Sequence, residues 1–167
     1  MKEAVLVVIK PDAITRRLTG HVLAKFAQSG LEMVAIKLAK TSRELAEQHY
    51  AHLRGKPFFE EVVAYFLGKY HQQKKLIAII YYGENAIARC RKIAGATNPE
   101  EACPESIRGA YGRITTKGVY ENVVHVSSDA VEAEREIKLW FSPMDITRKI
   151  YPVKYKVISA HKEKVWA

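Results

Sequence analysis

His125 is the most informative of the six histidines in this 167-residue chain. It lies inside the apolar stretch Asn122-Val123-Val124-His125-Val126, just ahead of a helix start. Imidazole titrates near pH ~6.5, so in neutral solution it can serve as base, nucleophile or ligand. Glu136 falls on the following helix, one turn beyond Glu132, where its carboxylate can fold back onto the ring. A carboxylate that orients one ring nitrogen leaves the other free for chemistry. A lone histidine in a strand reads first as a core residue satisfied by a hydrogen bond, and it is the neighbours of His125 that shift the reading toward chemistry.

Around this pair the chain supplies cations and polar groups suited to phosphate. Arg91 closes one helix, and the irregular stretch after it carries Thr97, Arg108 and Asn122. Guanidinium groups present a fixed fork of donors that matches phosphate oxygens. Lys10 ends an apolar strand and precedes Pro11, so its ammonium emerges at the sheet edge. Taken singly, each of these also reads as a surface residue. There is no GxxxxGK[ST], no GxGxxG after a strand, no CxxC and no HExxH. Phosphate would therefore be handled by side chains and not by a glycine-rich cradle.

The elements that must position these residues follow from periodicity. The continuous apolar run 4–9 predicts a buried strand ended by Pro11. Leu18, Val22, Leu23, Phe26 and Ala27 recur at helical spacing and predict a helix over about 14–28, stopped by Ser29-Gly30. A second strand is expected over 31–39. Thr41-Ser42 then caps a helix over 43–52 with Glu44 in its first turn. A helix over 58–67, a strand over 76–82 and a helix over 86–93 come next. The stretch 95–121 has no evident periodicity, and loops of that length in a compact domain are functional or misassigned. A short strand spans 122–126. Asp129 caps the last helix, with Glu132 as the acidic half of a capping box. Its expected apolar stripe is Ala130, Ala133, Ile137, Trp140 and Phe141. The order predicts an α+β fold, a ferredoxin-like βαββαβ antiparallel sheet with helices packed on it.

Apolar residues at 48% and charged residues at 27% exclude a disordered chain. Residues 1–167 are expected to form one domain with a basic C-terminal extension over about 148–167. That extension carries six Lys or Arg against one Glu, more than half of the net +9. Such an excess suits an anionic partner, and it also suits a solvated tail. The lysines over 154–164 alternate with Tyr155, Val157 and Ile158, a pattern open to a subunit contact or a nucleic-acid contact. Two cysteines, Cys90 and Cys103, favour a reducing compartment over a disulfide framework. The longest apolar run is too short for a membrane span or a signal-peptide core, so a cytoplasmic protein with no membrane partner is expected.

Taken in order, a set of short motifs resembles the nucleoside diphosphate kinase family. They are Ile9-Lys10-Pro11-Asp12, His49-Tyr50, Pro57-Phe58-Phe59, Thr97-Asn98-Pro99, Ile107-Arg108-Gly109, Asn122-Val123-Val124-His125, and Glu136-Ile137 with Leu139-Trp140-Phe141. No single piece is specific, but the ordered set is. The resemblance implies transfer of a γ-phosphoryl group from a nucleoside triphosphate such as ATP to a nucleoside diphosphate, by a ping-pong route through a phosphohistidine at His125. It implies Glu136 as the orienting carboxylate, with Tyr50 near the histidine. Lys10, Arg91, Thr97, Arg108 and Asn122 match positions that hold phosphates and ribose. Phe58 matches the aromatic that stacks on the base, with Val119 as the opposite wall and broad base tolerance as the consequence. Counting back from Thr97 selects Arg91 over Arg89. Mg²⁺ is implied as a companion of the nucleotide phosphates, with no metal ligand from the protein itself. A homo-oligomer, with a hexamer favoured, is also implied.

The chain departs from the family pattern at three places. Ser128 stands where an aspartate is usual. Residues 67–75 replace a short turn with a longer basic one. Residues 110–121 are longer than usual before Asn122, and the tail after Pro152 is unusually basic. Two other functions compete. A basic ferredoxin-like fold is also an RNA-recognition architecture, and Lys117-Gly118-Val119-Tyr120 resembles the start of its aromatic strand motif, although Glu121 and Asn122 break that motif. A catalytically silent structural member of the family is the other, and the intact His125, Lys10, Arg108 and Asn122 argue against it.

Overall fold

The computed structural model describes residues 1–155. The expected pattern of the tail beyond that point, including Val157 and Ile158, lies outside the described residues. Among the described residues no helix is long and apolar enough to cross a membrane.

The chain runs β1 (Lys2–Ile9), α1 (Pro11–Thr15), α2 (Thr19–Ala27), β2 (Glu32–Lys40), α3 (Arg43–His49), α4 (Phe59–Phe66), β3 (Lys75–Glu84) and α5 (Ala86–Ala94). It continues with α6 (Ile107–Tyr111), β4 (Arg113–Ile114), β5 (Tyr120–Glu121), β6 (Val124–Val126) and α7 (Ala130–Trp140). The main sheet has the order β2-β3-β1-β6 with every pairing antiparallel. This is the expected ferredoxin-like arrangement, in which β1 and β3 lie at the centre.

β1 explains why its sequence is apolar without alternation. Val5, Val7 and Ile9 enter one core with Val22 and Phe26 of α2 and Cys90 of α5. Ala4, Leu6 and Val8 enter a second core with Ala46 of α3, Val63 and Phe66 of α4, and Ile137 and Trp140 of α7. A strand buried on both faces must be apolar at every position. Helices therefore cover both faces of the sheet, and β1 delivers its last residues to the gap between the two layers.

Several expectations change in detail. Pro11 occupies the first turn of α1, where its missing N–H costs nothing, so the helix starts there and not at residue 14. The predicted single helix over 14–28 breaks at Arg17, whose φ of +59° is left-handed. The stretch 95–121 is not one loop. It holds a 3₁₀ turn at Pro99–Glu101, the helix α6 and the β4–β5 hairpin, whose elements are too short to show periodicity. Asp129 caps α7 by accepting from Glu132 N, but the Glu132 carboxylate pairs with Arg135 and does not complete a capping box. Ala130 is exposed, and the buried stripe of α7 runs through Ala133, Glu136, Ile137 and Trp140. The segment resembling an RNA-binding strand forms the turn and outer strand of the β4–β5 hairpin, off the four-stranded sheet. It therefore lacks the sheet platform that base stacking by that fold requires.

Candidate active site

β6 is three residues long and pairs with β1, placing His125 opposite Val8. Just before it the backbone turns sharply. Val123 has φ +68°, and Val124 N donates to Asn122 O at 2.7 Å across it. A β-branched residue is costly in this region, so the surroundings must enforce it. They do so with two hydrogen bonds: Val123 N donates to Asp12 Oδ2 at 3.0 Å, and Lys10 N donates to Val123 O at 2.9 Å. The expected strand over 122–126 is thus a tight turn followed by a shorter strand. The turn sends Asn122 toward Lys10 and leaves His125 in the middle of β6.

Glu136 of α7 is 1% exposed and reaches back to this strand. His125 Nε2 lies 2.9 Å from Glu136 Oε1, and Ser127 Oγ donates to Glu136 Oε2 at 2.6 Å. Burial first, then the nearby charges of Lys10 and Arg108, push the imidazole well below its ordinary range. The ring is therefore neutral, with Nε2–H donating to the carboxylate. Nδ1 has no hydrogen-bond partner among the described residues and keeps its lone pair. Burial raises the Glu136 carboxyl, an effect opposed by His49, the Ser127 hydroxyl and Arg135.

His49 completes the surroundings. It is fully buried, stacks on Phe66 with centroids 5.0 Å apart, and meets the His125 ring edge-on at 4.3 Å. Trp140 Nε1 donates to His49 Nδ1 at 3.2 Å, which fixes the tautomer with the proton on Nε2. Tyr50 sits beside both histidines, its ring 6.2 Å from that of His125, and burial raises its hydroxyl pKa.

Two cations face the same space. Lys10 Nζ donates to Asn122 Oδ1 at 2.7 Å, and Asn122 Nδ2 donates to Thr97 O at 2.9 Å. Burial and the Arg108 charge lower the ammonium to about 8. Arg108 donates from one terminal nitrogen to Gly95 O at 2.8 Å and from the other to Val124 O at 2.9 Å. These bonds brace its guanidinium against β6. Gly95 has φ +87°, and a Cβ there would collide with Ser106 Oγ, so glycine is required where the chain offers its carbonyl to Arg108.

All ten side chains singled out from the sequence line one cavity of about 760 Å³. His125, Glu136, Lys10, Tyr50, Arg108 and Asn122 form its inner part. Phe58, Arg91 and Thr97 are exposed toward its mouth, and Val119 is buried in its wall. Arg89 points elsewhere and donates to Ser29 O, so Arg91 is the arginine on the cavity. Ser128 also lines it, with its hydroxyl donating to Asp129 Oδ2 at 2.8 Å. The sequence reading missed Asp12, His49 and Ser127 as site residues. Asp12 and His49 stand inside the family-like motifs, but only the fold shows what they hold.

Among the described residues, the His, Cys and carboxylate ligands close enough to share an ion are His49, His125 and Glu136. That set suits Mg²⁺ poorly. Mg²⁺ wants six oxygen ligands, whereas two of these three offer nitrogen, both Glu136 oxygens are already bonded, and two cations face the site.

A family model described as nucleoside diphosphate kinase matches residues 3–146. The chain is 42% identical over 144 residues to the nucleoside diphosphate kinase of Pyrococcus furiosus, covering 86% of both chains. Its fold superposes with TM-score 0.78 on a halophilic nucleoside diphosphate kinase from Halobacterium salinarum in complex with CDP, at 31% identity over 94% of this chain and 95% of the other. A nucleoside-diphosphate kinase of Borrelia burgdorferi, solved as a transition state mimic with bound vanadate and ADP, gives TM-score 0.77 at 28% identity over 93% of each chain.

Proposed function

The chain belongs to the nucleoside diphosphate kinase family and transfers phosphoryl groups between nucleotides, and on that premise we propose that His125 Nδ1 is the atom that carries the phosphoryl group. The observation that supports this assignment most is the neutral, oriented imidazole. Its Nε2 is tied to Glu136, and its free nitrogen belongs to a ring on a cavity lined by Lys10 and Arg108. The Nδ1 lone pair attacks the γ-phosphorus, and the bond from phosphorus to the β–γ bridging oxygen breaks. The nucleoside diphosphate leaves with that electron pair. The positive charge that develops on the ring is balanced by Glu136 through Nε2–H. A terminal oxygen of an incoming nucleoside diphosphate then attacks the phosphorus, and the N–P bond returns its electrons to the imidazole.

Phosphoryl transfer passes through a loose transition state with charge spread over the equatorial oxygens. Lys10 and the braced Arg108 are cations already in place to meet that charge, so no reorganisation is needed as it forms. Phe58 and Val119 provide a stacking slot for the base, which reads a π-face and tolerates any base. Arg91 and Thr97 serve the phosphates and ribose near the mouth. The substrate is the Mg²⁺–nucleotide complex. CDP and ADP in the two related structures are in keeping with such a ligand.

The same reading includes a homo-oligomer and a cytoplasmic setting. Met33, Ile36 and Leu38 are exposed along the edge strand β2, an apolar edge that a second copy of the chain would cover.

Incubation with γ-labelled ATP and Mg²⁺ tests the assignment. Acid-labile phosphate is expected on His125, discharged by any added nucleoside diphosphate, and lost entirely in His125→Ala. Label on His21, His49, His52, His71 or His161, or survival of the label in the variant, overturns it.

A further inference from the structure

The two internal segments that depart in length from the family pattern, 67–75 and 110–121, meet each other beside the cavity. His71 Nε2 lies 2.8 Å from Glu121 Oε1, with the two side chains only 7% and 6% exposed. Arg113 Nε donates to the other oxygen, Oε2. Burial pushes the Glu121 carboxyl upward, but the hydrogen bonds from Arg113 and His71 hold it below the usual glutamate range. Glu121 is therefore a carboxylate, and His71 donates to it. The His71 ring also packs edge-on against Tyr65 at 5.2 Å.

Neither His71 nor Glu121 lines the cavity, yet Glu121 follows Gly118, Val119 and Tyr120, which do. The β4–β5 hairpin that carries these residues has only two paired positions, Arg113 with Glu121 and Ile114 with Tyr120. A hairpin of that size has little stability of its own. Its turn is closed by Thr115 N donating to Val119 O at 3.0 Å and Val119 N donating to Thr115 Oγ1 at 3.1 Å. Those bonds shape the turn but do not attach it to the rest of the protein. The buried His71–Glu121 pair does, and a buried carboxylate with both oxygens taken has a single low-energy position.

We infer that the His71–Glu121–Arg113 clamp positions the base-facing wall of the cavity, so that segment 67–75 sets nucleotide affinity without touching nucleotide. Asn122 is held separately by Lys10 and Thr97, so the phosphate end of the site is insulated from the clamp. The inference rests on the placement of the base against Val119 proposed above.

The experiment compares kcat and KM for ADP as acceptor in His71→Phe, His71→Gln and Arg113→Ala, with melting temperature and His125 labelling measured on each. His71→Phe keeps a ring against Tyr65 but removes the donor. It is expected to raise KM roughly fivefold to tenfold, within what loss of a stacking wall costs, with kcat nearly unchanged. His71→Gln restores a donor and is expected to bring KM back toward the parent. Arg113→Ala removes the more exposed partner of the clamp and is expected to raise KM by a smaller factor in the same direction. Unchanged KM in His71→Phe and Arg113→Ala overturns the clamp, as does failure of glutamine to rescue or a parallel fall in kcat. Absence of label on His125 in the parent protein would instead defeat the functional reading, so the two failures are distinguishable.

Discussion

At the inner end of the cavity, both oxygens of Glu136 have partners, and the histidine they orient is wrapped by His49, Tyr50 and β6. At the mouth, Phe58 is 48% exposed, and Arg91 and Thr97 also face outward. The inner end is a buried, hydrogen-bonded environment that fixes protonation state and direction. The mouth offers a flat apolar surface and solvated charge. Burial strengthens each electrostatic contact and makes each loss costly, whereas an exposed stacking surface gives affinity with little discrimination. On the proposed assignment, the buried end serves the chemistry and the open end the tolerance of different bases.

That division predicts different kinetic signatures. The largest effect, after loss of His125 itself, belongs to the buried cation. Lys10→Ala is expected to lower kcat by about 10²–10³-fold with a smaller change in KM, because the ammonium meets charge that develops on the moving group. A change confined to KM in steady-state kinetics would show that Lys10 acts in binding and not on the moving group. Phe58→Ala is expected to raise KM about tenfold with kcat nearly intact, since stacking is similar in ground and transition states. A loss of kcat in that variant would show that Phe58 positions the reacting groups and does more than hold the base.

The pH dependence sharpens the same contrast. Lys10 is a cation below about 8 and loses its charge above it, so kcat/KM of the free enzyme is expected to fall as pH rises through about 8. His125 is held neutral by burial and neighbouring cations, so activity is expected to persist below pH ~6.5, where an ordinary imidazole would be half protonated. Pre-steady-state phosphorylation measured across pH checks both limbs, and Lys10→Arg is expected to remove the alkaline one. The smallest effect is structural. Asp129→Ala removes the α7 cap and is expected to lower the midpoint of denaturant unfolding slightly, with little change in kcat. A large loss of kcat would show that α7 must be rigid to hold Glu136.

Local patterns carried much of the fold. The unbroken apolar run of β1 follows from burial on two faces, which leaves no position for a polar residue. The Ser42 and Asp129 caps were legible because a helix start needs a side-chain acceptor within three residues of the orphan N–H groups. All ten site residues singled out from the sequence reach the same cavity, since the ordered motifs preserve their spacing through the fold.

The meetings between distant segments come from the packed fold. Asp12 holds the strained turn at Val123 from 111 residues away, Trp140 fixes the His49 tautomer from 91, and His71 reaches Glu121 from 50. Nothing in the periodicity around either partner encodes such a pairing. Each depends on where the sheet order β2-β3-β1-β6 brings two chain segments together. Which side chains could do the chemistry was readable locally, because residue type and spacing set charge, donor capacity and strand or helix placement. Only the packed fold decided which nitrogen of His125 is free and how the site is braced, because those depend on burial and on contacts made across the whole chain.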